Sequence, residues 1–226
     1  IAGDVVVFEG GTYGGHGEVQ DLFVDGTLMV TERLGAPHVK GELTLSQSAT
    51  LSYVVTAADQ IPTLVVDGVA ELWNASLNLV ALPGSYSTNT VYTLIRASKV
   101  DGEFDHVTSN LAYLTPKLFQ SETEVLLQYA RNELPLGYFA LNDNSENFGQ
   151  SVVEPAASAN AAIAALLGST VDTAANALDQ LAGDSTANLA KMTLNSDAPV
   201  SASMLSAMRQ LDSADSKSGR RNNAPR

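Results

Sequence analysis

Leu22-Phe23-Val24-Asp25-Gly26-Thr27-Leu28-Met29-Val30 alternates along its length, with Val24, Leu28 and Val30 on one face and Gly26 in phase between them. The same V-x-G-x-L pattern returns in Val39-Lys40-Gly41-Glu42-Leu43-Thr44-Leu45. It recurs with smaller apolar residues in Val66-Asp67-Gly68-Val69-Ala70-Glu71-Leu72, and in Val100-Asp101-Gly102-Glu103-Phe104. Period-2 alternation rich in β-branched residues is the signature of a strand buried on one face. A glycine on the inward face gives room for a tight corner or a close backbone approach. Val24, Val39, Val66 and Val100 are unevenly spaced, as stacked turns of a solenoid would be if loops of unequal length joined them. Hairpins would place Asp-Gly between strands, whereas Asp25-Gly26 and Asp67-Gly68 lie inside alternating runs. The pattern predicts a mainly β chain built as a right-handed parallel β-helix, with a twisted antiparallel sheet as the alternative.

Further along, the strands lengthen and turn aromatic. Leu77–Leu82 leads to Pro83-Gly84-Ser85, followed by Thr90–Ile95, then Phe104 to Phe119 and Glu124–Tyr129. Large rings bury the most area per residue, and a solenoid needs a dense end that closes its core and strand edges. Composition changes near Arg131-Asn132-Glu133-Leu134-Pro135, from Gly-spaced strands to an Ala-rich stretch. Residues 1–132 are therefore expected to be strands with an aromatic cap, and 133–226 a helical segment ending in a flexible basic tail. Helices are predicted from Pro155 to Leu167 and from Val171 to Ala182, the latter opened by a capping box over Ser169–Asp172. Two more are predicted over Ala187–Leu194 and beyond Pro199.

The balance of 12 basic against 25 acidic residues, a net charge of −13, argues against a broad nucleic-acid face. Cysteine is absent, which excludes disulfides, thiolate metal sites and a thiol nucleophile. The longest apolar run, Ala161–Leu167, is far short of the ~18 residues of a membrane-spanning helix. The chain opens on Ile1 with no signal-peptide pattern, and is expected to be a piece of something longer. Gly10–Gly17 lacks the ending of a P-loop and reads as a loop or corner. His16, His38 and His106 have no neighbouring histidine, so no zinc site is expected. Asp25, Asp67 and Asp101 each precede a motif glycine and could line one outward face. That face reads as solvated surface before it reads as a Ca²⁺ ladder. No G-x-S-x-G elbow marks a hydrolase triad.

Several motifs, in order, resemble the C-terminal end of the passenger of bacterial autotransporters, the pertactin-like type V secreted proteins. They are Gly11-Thr12-Tyr13-Gly14-Gly15-His16-Gly17-Glu18-Val19, Leu22–Leu28, Leu82-Pro83-Gly84-Ser85-Tyr86 and Tyr92-Thr93-Leu94-Ile95. Val100–Phe104, Val107–Leu111, Leu114-Thr115-Pro116, Ala130-Arg131-Asn132 and Ala177–Asp184 continue the series. The resemblance implies a surface-exposed β-helix whose last turns, the autochaperone region, start passenger folding and support secretion across the outer membrane. It also implies a following helix that threads the protein's own C-terminal outer-membrane barrel, which lies outside this chain. The expectation is a non-enzymatic segment with no cofactor, no metal and no nucleic-acid partner. Its parent would be an adhesin or virulence factor that meets its surface ligand through an upstream portion. Trp73, Tyr86, Tyr92, Leu94, Phe104, Val107, Leu114 and Phe119 are expected to form the folding core. Val171, Leu178, Leu181, Val200, Met204, Met208 and Leu211 would be the linker-helix face. The competing readings are a carbohydrate-active β-helix lyase or hydrolase, and a self-associating adhesin module.

Overall fold

A computed structural model describes residues 3–58, 61–152 and 161–183. They fall in two compact units, Ile1–Asp179 and Gln180–Arg226. The predicted helices over Ala187–Leu194 and beyond Pro199, together with Val200, Met204, Met208 and Leu211, lie outside the described residues, and in the second unit only 180–183 are described, as helix. The change of composition at 132/133 marks the passage from strands to helices but not the edge of the first unit, which continues to Asp179.

The first unit is mainly β. Its strands are β1 (Val5–Val7), β2 (Thr12–Gly14), β3 (Glu18–Val19), β4 (Leu22–Val24), β5 (Thr27–Val30), β6 (His38–Val39) and β7 (Leu43–Leu45). Longer ones follow: β8 (Thr50–Val55), β9 (Leu64–Glu71), β10 (Ser76–Ala81), β11 (Val91–Asp101), β12 (His106–Ser109), β13 (Leu114–Gln120) and β14 (Glu124–Arg131). They form a nine-stranded sheet in the order β1-β4-β7-β9-β11-β14-β13, with β3 and β6 alongside, and a five-stranded sheet in the order β12-β10-β8-β5-β2. Every pairing among β1 to β12 is parallel. The chain thus visits the two sheets alternately, and each pass lies beside the one before.

Register explains why alternation sufficed to bury a core. Val5, Leu22, Leu43, Ala70 and Val100 stand in one column of the first sheet. Tyr13, Leu28, Leu51, Leu77 and Val107 form the matching column of the second. The middle members of both columns are fully buried, while Tyr13 and Val107 at the ends are half-buried. With a side-chain period of two, this register turns one face of every strand inward.

The four V-x-G motifs are not equivalent, contrary to the single repeat their likeness suggests. Val39 and Val66 are partners, but Val24 pairs with Leu45 and Val100 with Ala70. Gly41 and Gly68 share a bend between the halves of the first sheet, where the Gly68 N–H donates to the Gly41 carbonyl at 3.0 Å. Gly26 and Gly102 sit instead at the corner leading to the second sheet. The uneven spacing of the motifs is therefore partly a change of corner and not only a change of loop length.

At that corner the chain turns tightly, with Gly11, Ala49 and Ala75 donating back to Phe8, Ser46 and Leu72. Trp73 and Asn74 are the central residues of the third turn, at φ 21° and 58°. Positive φ at both central positions is the geometry of a type I′ turn, which directs Trp73 outward and leaves it 51% exposed. Trp73 is accordingly not a core residue. Nor is Phe119: on β13 it is Leu114 and Leu118 that face inward, and the next position along, Phe119, is half-exposed.

After β14 come a 3₁₀ turn (Leu136–Phe139) and helices α1 (Asp143–Ser151) and α2 (Ala161–Leu167). Helical residues 171–179 then close the unit. Asn142 caps α1 by accepting from the Ser145 N–H at 2.9 Å. At the next helix the cap is displaced by one residue from the predicted box. The Thr170 N–H donates to the Thr173 hydroxyl at 3.0 Å, and Thr173 N–H donates back to the Thr170 carbonyl. Ala174 and Leu178 are buried on this helix, Leu181 is half-buried, and Val171 in its first turn is 51% exposed.

Candidate functional site: the antiparallel tyrosine-rich end

The parallel order ends at β11, whose first half pairs antiparallel with β14, which in turn pairs antiparallel with β13. This hairpin occupies the last edge of the first sheet, and its outer strand carries Pro116 and Lys117. A proline without a donor and a lysine are both edge protection against further strand pairing.

Beneath it lies a cluster of tyrosines. Tyr53, Tyr92, Tyr113 and Tyr129 are among the largest fully buried side chains. Tyr129 is met edge-on by Tyr86, at 5.5 Å between centroids, and by Tyr92, at 6.4 Å. Tyr113 meets Phe139 at 5.4 Å in the same manner. Buried phenols need partners, and most find backbone carbonyls of the flanking loops. Tyr53 donates to Leu94 at 2.9 Å and also lies against the Pro62 carbonyl. Tyr86 spans Val55 and Leu82, at 2.9 and 2.6 Å, and Tyr113 donates to Leu136 at 2.7 Å. These three phenols thus tie loops to the sheets.

Burial disfavours the phenolate, so the hydroxyls of Tyr53 and Tyr86 are raised well above the ordinary value. Burial pushes Tyr113 up to about 12 against the opposing pull of Arg131, and Tyr129 up to about 12 against that of the Ser109 hydroxyl. All four phenols are therefore neutral at physiological pH.

Arg131 and Asn132 fasten the exit from the hairpin. The Arg131 guanidinium lies 5.4 Å from the centre of the Tyr113 ring. It donates to the carbonyls of Tyr113, Asn132 and Leu134 at 3.2, 2.7 and 2.7 Å. The Asn132 amide donates to Ala112 at 2.9 Å. Asn110 acts like a peptide unit, accepting from the Ala81 N–H at 2.7 Å and donating to its carbonyl at 3.0 Å.

Of the residues singled out by sequence, Tyr86, Tyr92, Leu94 and Leu114 are buried here, with Phe104 and Val107 half-buried against the same core. Trp73 and Phe119 are not brought in. Tyr53 was missed, because it lies in the run Thr50–Val55 among smaller residues, where its length gives no periodic signal.

The three aspartates do not line up. Asp25 is at a corner, and Asp101 lies opposite Glu71. Asp67 accepts from His38 at 2.8 Å, with Lys40 at 3.5 Å, and both side chains also approach Glu18, at 3.7 and 3.5 Å. Hydrogen bonding from His38, with further help from the charges of His38 and Lys40, holds the Asp67 carboxyl below its usual range. Among the described residues no group of three His, Asp or Glu is placed to hold a metal ion.

Fold and site together define a class of limited reach: a mainly β protein of two parallel sheets closed by an antiparallel, tyrosine-rich end. No protein-family model, no curated protein and no solved structure matches the chain.

Proposed function

We propose that this chain is the C-terminal passenger segment of a surface-exposed bacterial autotransporter, folded as a right-handed parallel β-helix. On this reading it is non-enzymatic. Its tyrosine-rich end nucleates folding, and successive turns then add by edge pairing. Folding outside the cell supports passage of the passenger through the outer membrane, with the protein's own C-terminal barrel as partner.

The observation that carries the reading is the sequence of strand pairings, parallel from β1 to β12 and then closed by the β11–β14–β13 hairpin. Parallel stacking alone is slow to start, because each new strand must close a long loop before it is rewarded. The β13–β14 hairpin is local in sequence, so it can form first, and Tyr129 on β14 then meets Tyr86 and Tyr92 edge-on. The ordered family motifs Leu82–Tyr86, Val100–Phe104 and Ala130–Asn132 fall on or beside this end.

The test is display. The chain is placed between a secretion signal and an outer-membrane β-barrel in a Gram-negative host and scored by access of external protease. Efficient display that drops at least tenfold for Tyr129→Ser supports the reading. Periplasmic retention of the unaltered chain, or display indifferent to Tyr129→Ser, overturns it.

A further inference from the structure

The second sheet ends at β12, and the chain just beyond that strand is itself paired. Leu111 and Thr170 form an antiparallel bridge. It is made by the Ala112 N–H on the Ser169 carbonyl and the Val171 N–H on the Asn110 carbonyl, both at 2.9 Å. Beside this bridge the backbones of Gly168 and Gly84 touch: a methyl on Gly168 would stand 1.8 Å from the Gly84 oxygen and 3.3 Å from the Tyr86 ring. Further on, Ala174 and Leu178 are buried. Asp179 then accepts from the Asn142 amide at 2.7 Å and from the Ser145 hydroxyl. The segment 168–179 is therefore seated at both ends, on the strand edge and on the start of α1.

We propose that residues 168–179 are a strap, docked on the surface made by residues 84–86 and 110–112, that opens as a unit while the sheets stay folded. Its contacts differ in kind from those of the strands. The strap's strand-like part is one bridge with two backbone hydrogen bonds, where neighbouring strands share ladders and a continuous core. Few backbone hydrogen bonds to the rest of the unit place an element at the low end of local stability. Its contact with the loop at Gly84 is backbone on backbone, and so depends on the absence of a side chain at Gly168. Opening it would bare the 110–112 edge and Tyr86, leaving the tyrosine cluster uncovered on that side.

Residues 180–226 follow directly on the strap, so a pull on them reaches the strap before any strand. If the autotransporter reading holds, this lets the downstream stretch be drawn into the barrel without disturbing the folded end. That use rests on the reading above; the strap itself does not.

The test is hydrogen exchange on the whole chain, resolved to single amides. The amides of Ala112, Val171 and Ala174 should exchange at one common rate, at least 100-fold faster than that of Leu127 in β14. Gly168→Val should speed the first set tenfold or more and leave Leu127 unchanged. Should Gly168→Val not fold, Asp179→Ala must accelerate the same set. Exchange of strap and β14 amides at one rate, or variants that leave the strap amides unmoved, would overturn the proposal. Because this is measured on the purified chain, its failure leaves the display result intact, and a failure of display leaves the strap intact.

Discussion

Gly68 lies over Gly41 so closely that a methyl group on Gly68 would stand 2.4 Å from the Gly41 carbonyl oxygen. The two belong to successive passes and are joined there by the Gly68 N–H. The obstacle is backbone, so it cannot swing aside as a flexible side chain would. Gly68→Ala is expected to cost about 1–3 kcal/mol, the usual range for overpacking. Gly17→Ala, where nothing lies within 4 Å, should be close to neutral. Urea unfolding midpoints of the two variants check this, and equal midpoints would refute the stacking argument.

The tyrosine cluster should respond in proportion to what each ring does. Tyr129 is fully buried and met by two other rings, so Tyr129→Ala should lose about 3–5 kcal/mol, as large aromatic truncations do. Tyr86→Phe keeps the ring and removes only the hydroxyl shared by Val55 and Leu82, a loss of about 1 kcal/mol. Trp73→Ala, despite removing the largest side chain, should fall within about 0.5 kcal/mol as an exposed substitution. Chemical denaturation ranks the three.

Alkaline pH should unfold the protein through the same cluster. Tyr113 and Tyr129 are raised to about 12 from 10.0. Their neutral forms therefore stabilise the fold fully below pH 10, and this is lost as pH rises through about 12. Tyrosinate absorbance should show buried phenols ionising together with loss of far-ultraviolet circular dichroism. Ionisation of all seven tyrosines near pH 10 with the fold intact would contradict the burial.

Asp67 gives the opposite sign at the other end of the scale. Its carboxyl is held below its usual range chiefly by the His38 hydrogen bond. The contribution is present above the unfolded value near 4 and fades as pH falls through the depressed folded value. Asp67→Asn should lower the melting temperature slightly at pH 6, by about 1–2 °C for an exposed pair. At pH 2 the variant should match the parent. Melting curves across that range decide it, and an equal deficit at both pH values would point to something other than the ion pair.

Strands and their inward faces were legible in residues such as Leu22–Val30, because a period of two needs only local sequence. Register was not. The V-x-G pattern serves two different bends, and nothing within a motif says which one it occupies. The tyrosine-rich end was legible in kind, since Tyr86, Tyr92 and Leu94 stand in a dense aromatic stretch. Trp73 misled because a ring's size says nothing about a turn with both central φ values positive. Helix α1 went unread because Asp143–Ser151 has Phe148 as its one large apolar residue, too little for a periodic face. Its signal was the cap, Asn142 with acids at Asp143 and Glu146. The helix from Val171 was legible in its cap and in Ala174 and Leu178, but its seating on residues 84–86 and 110–112 was not, because glycine backbones and a lone bridge leave no pattern in side chains.

The passage from the first sheet to the second is tight on every pass, whereas the first four returns lengthen, over residues 15–17, 31–37, 56–63 and 82–90, before a short last one at 110–113. The column Val19, Val39, Val66 and Ala97 beside these returns keeps its partners regardless. Insertions and deletions can therefore accumulate along one border of the molecule without resetting any strand, because the closure entropy of a loop grows only slowly with its length. Lineages carrying this chain should differ in length at those four returns and hardly at all at the opposite corners. That border is where the molecule can change its outline while its frame stays the same.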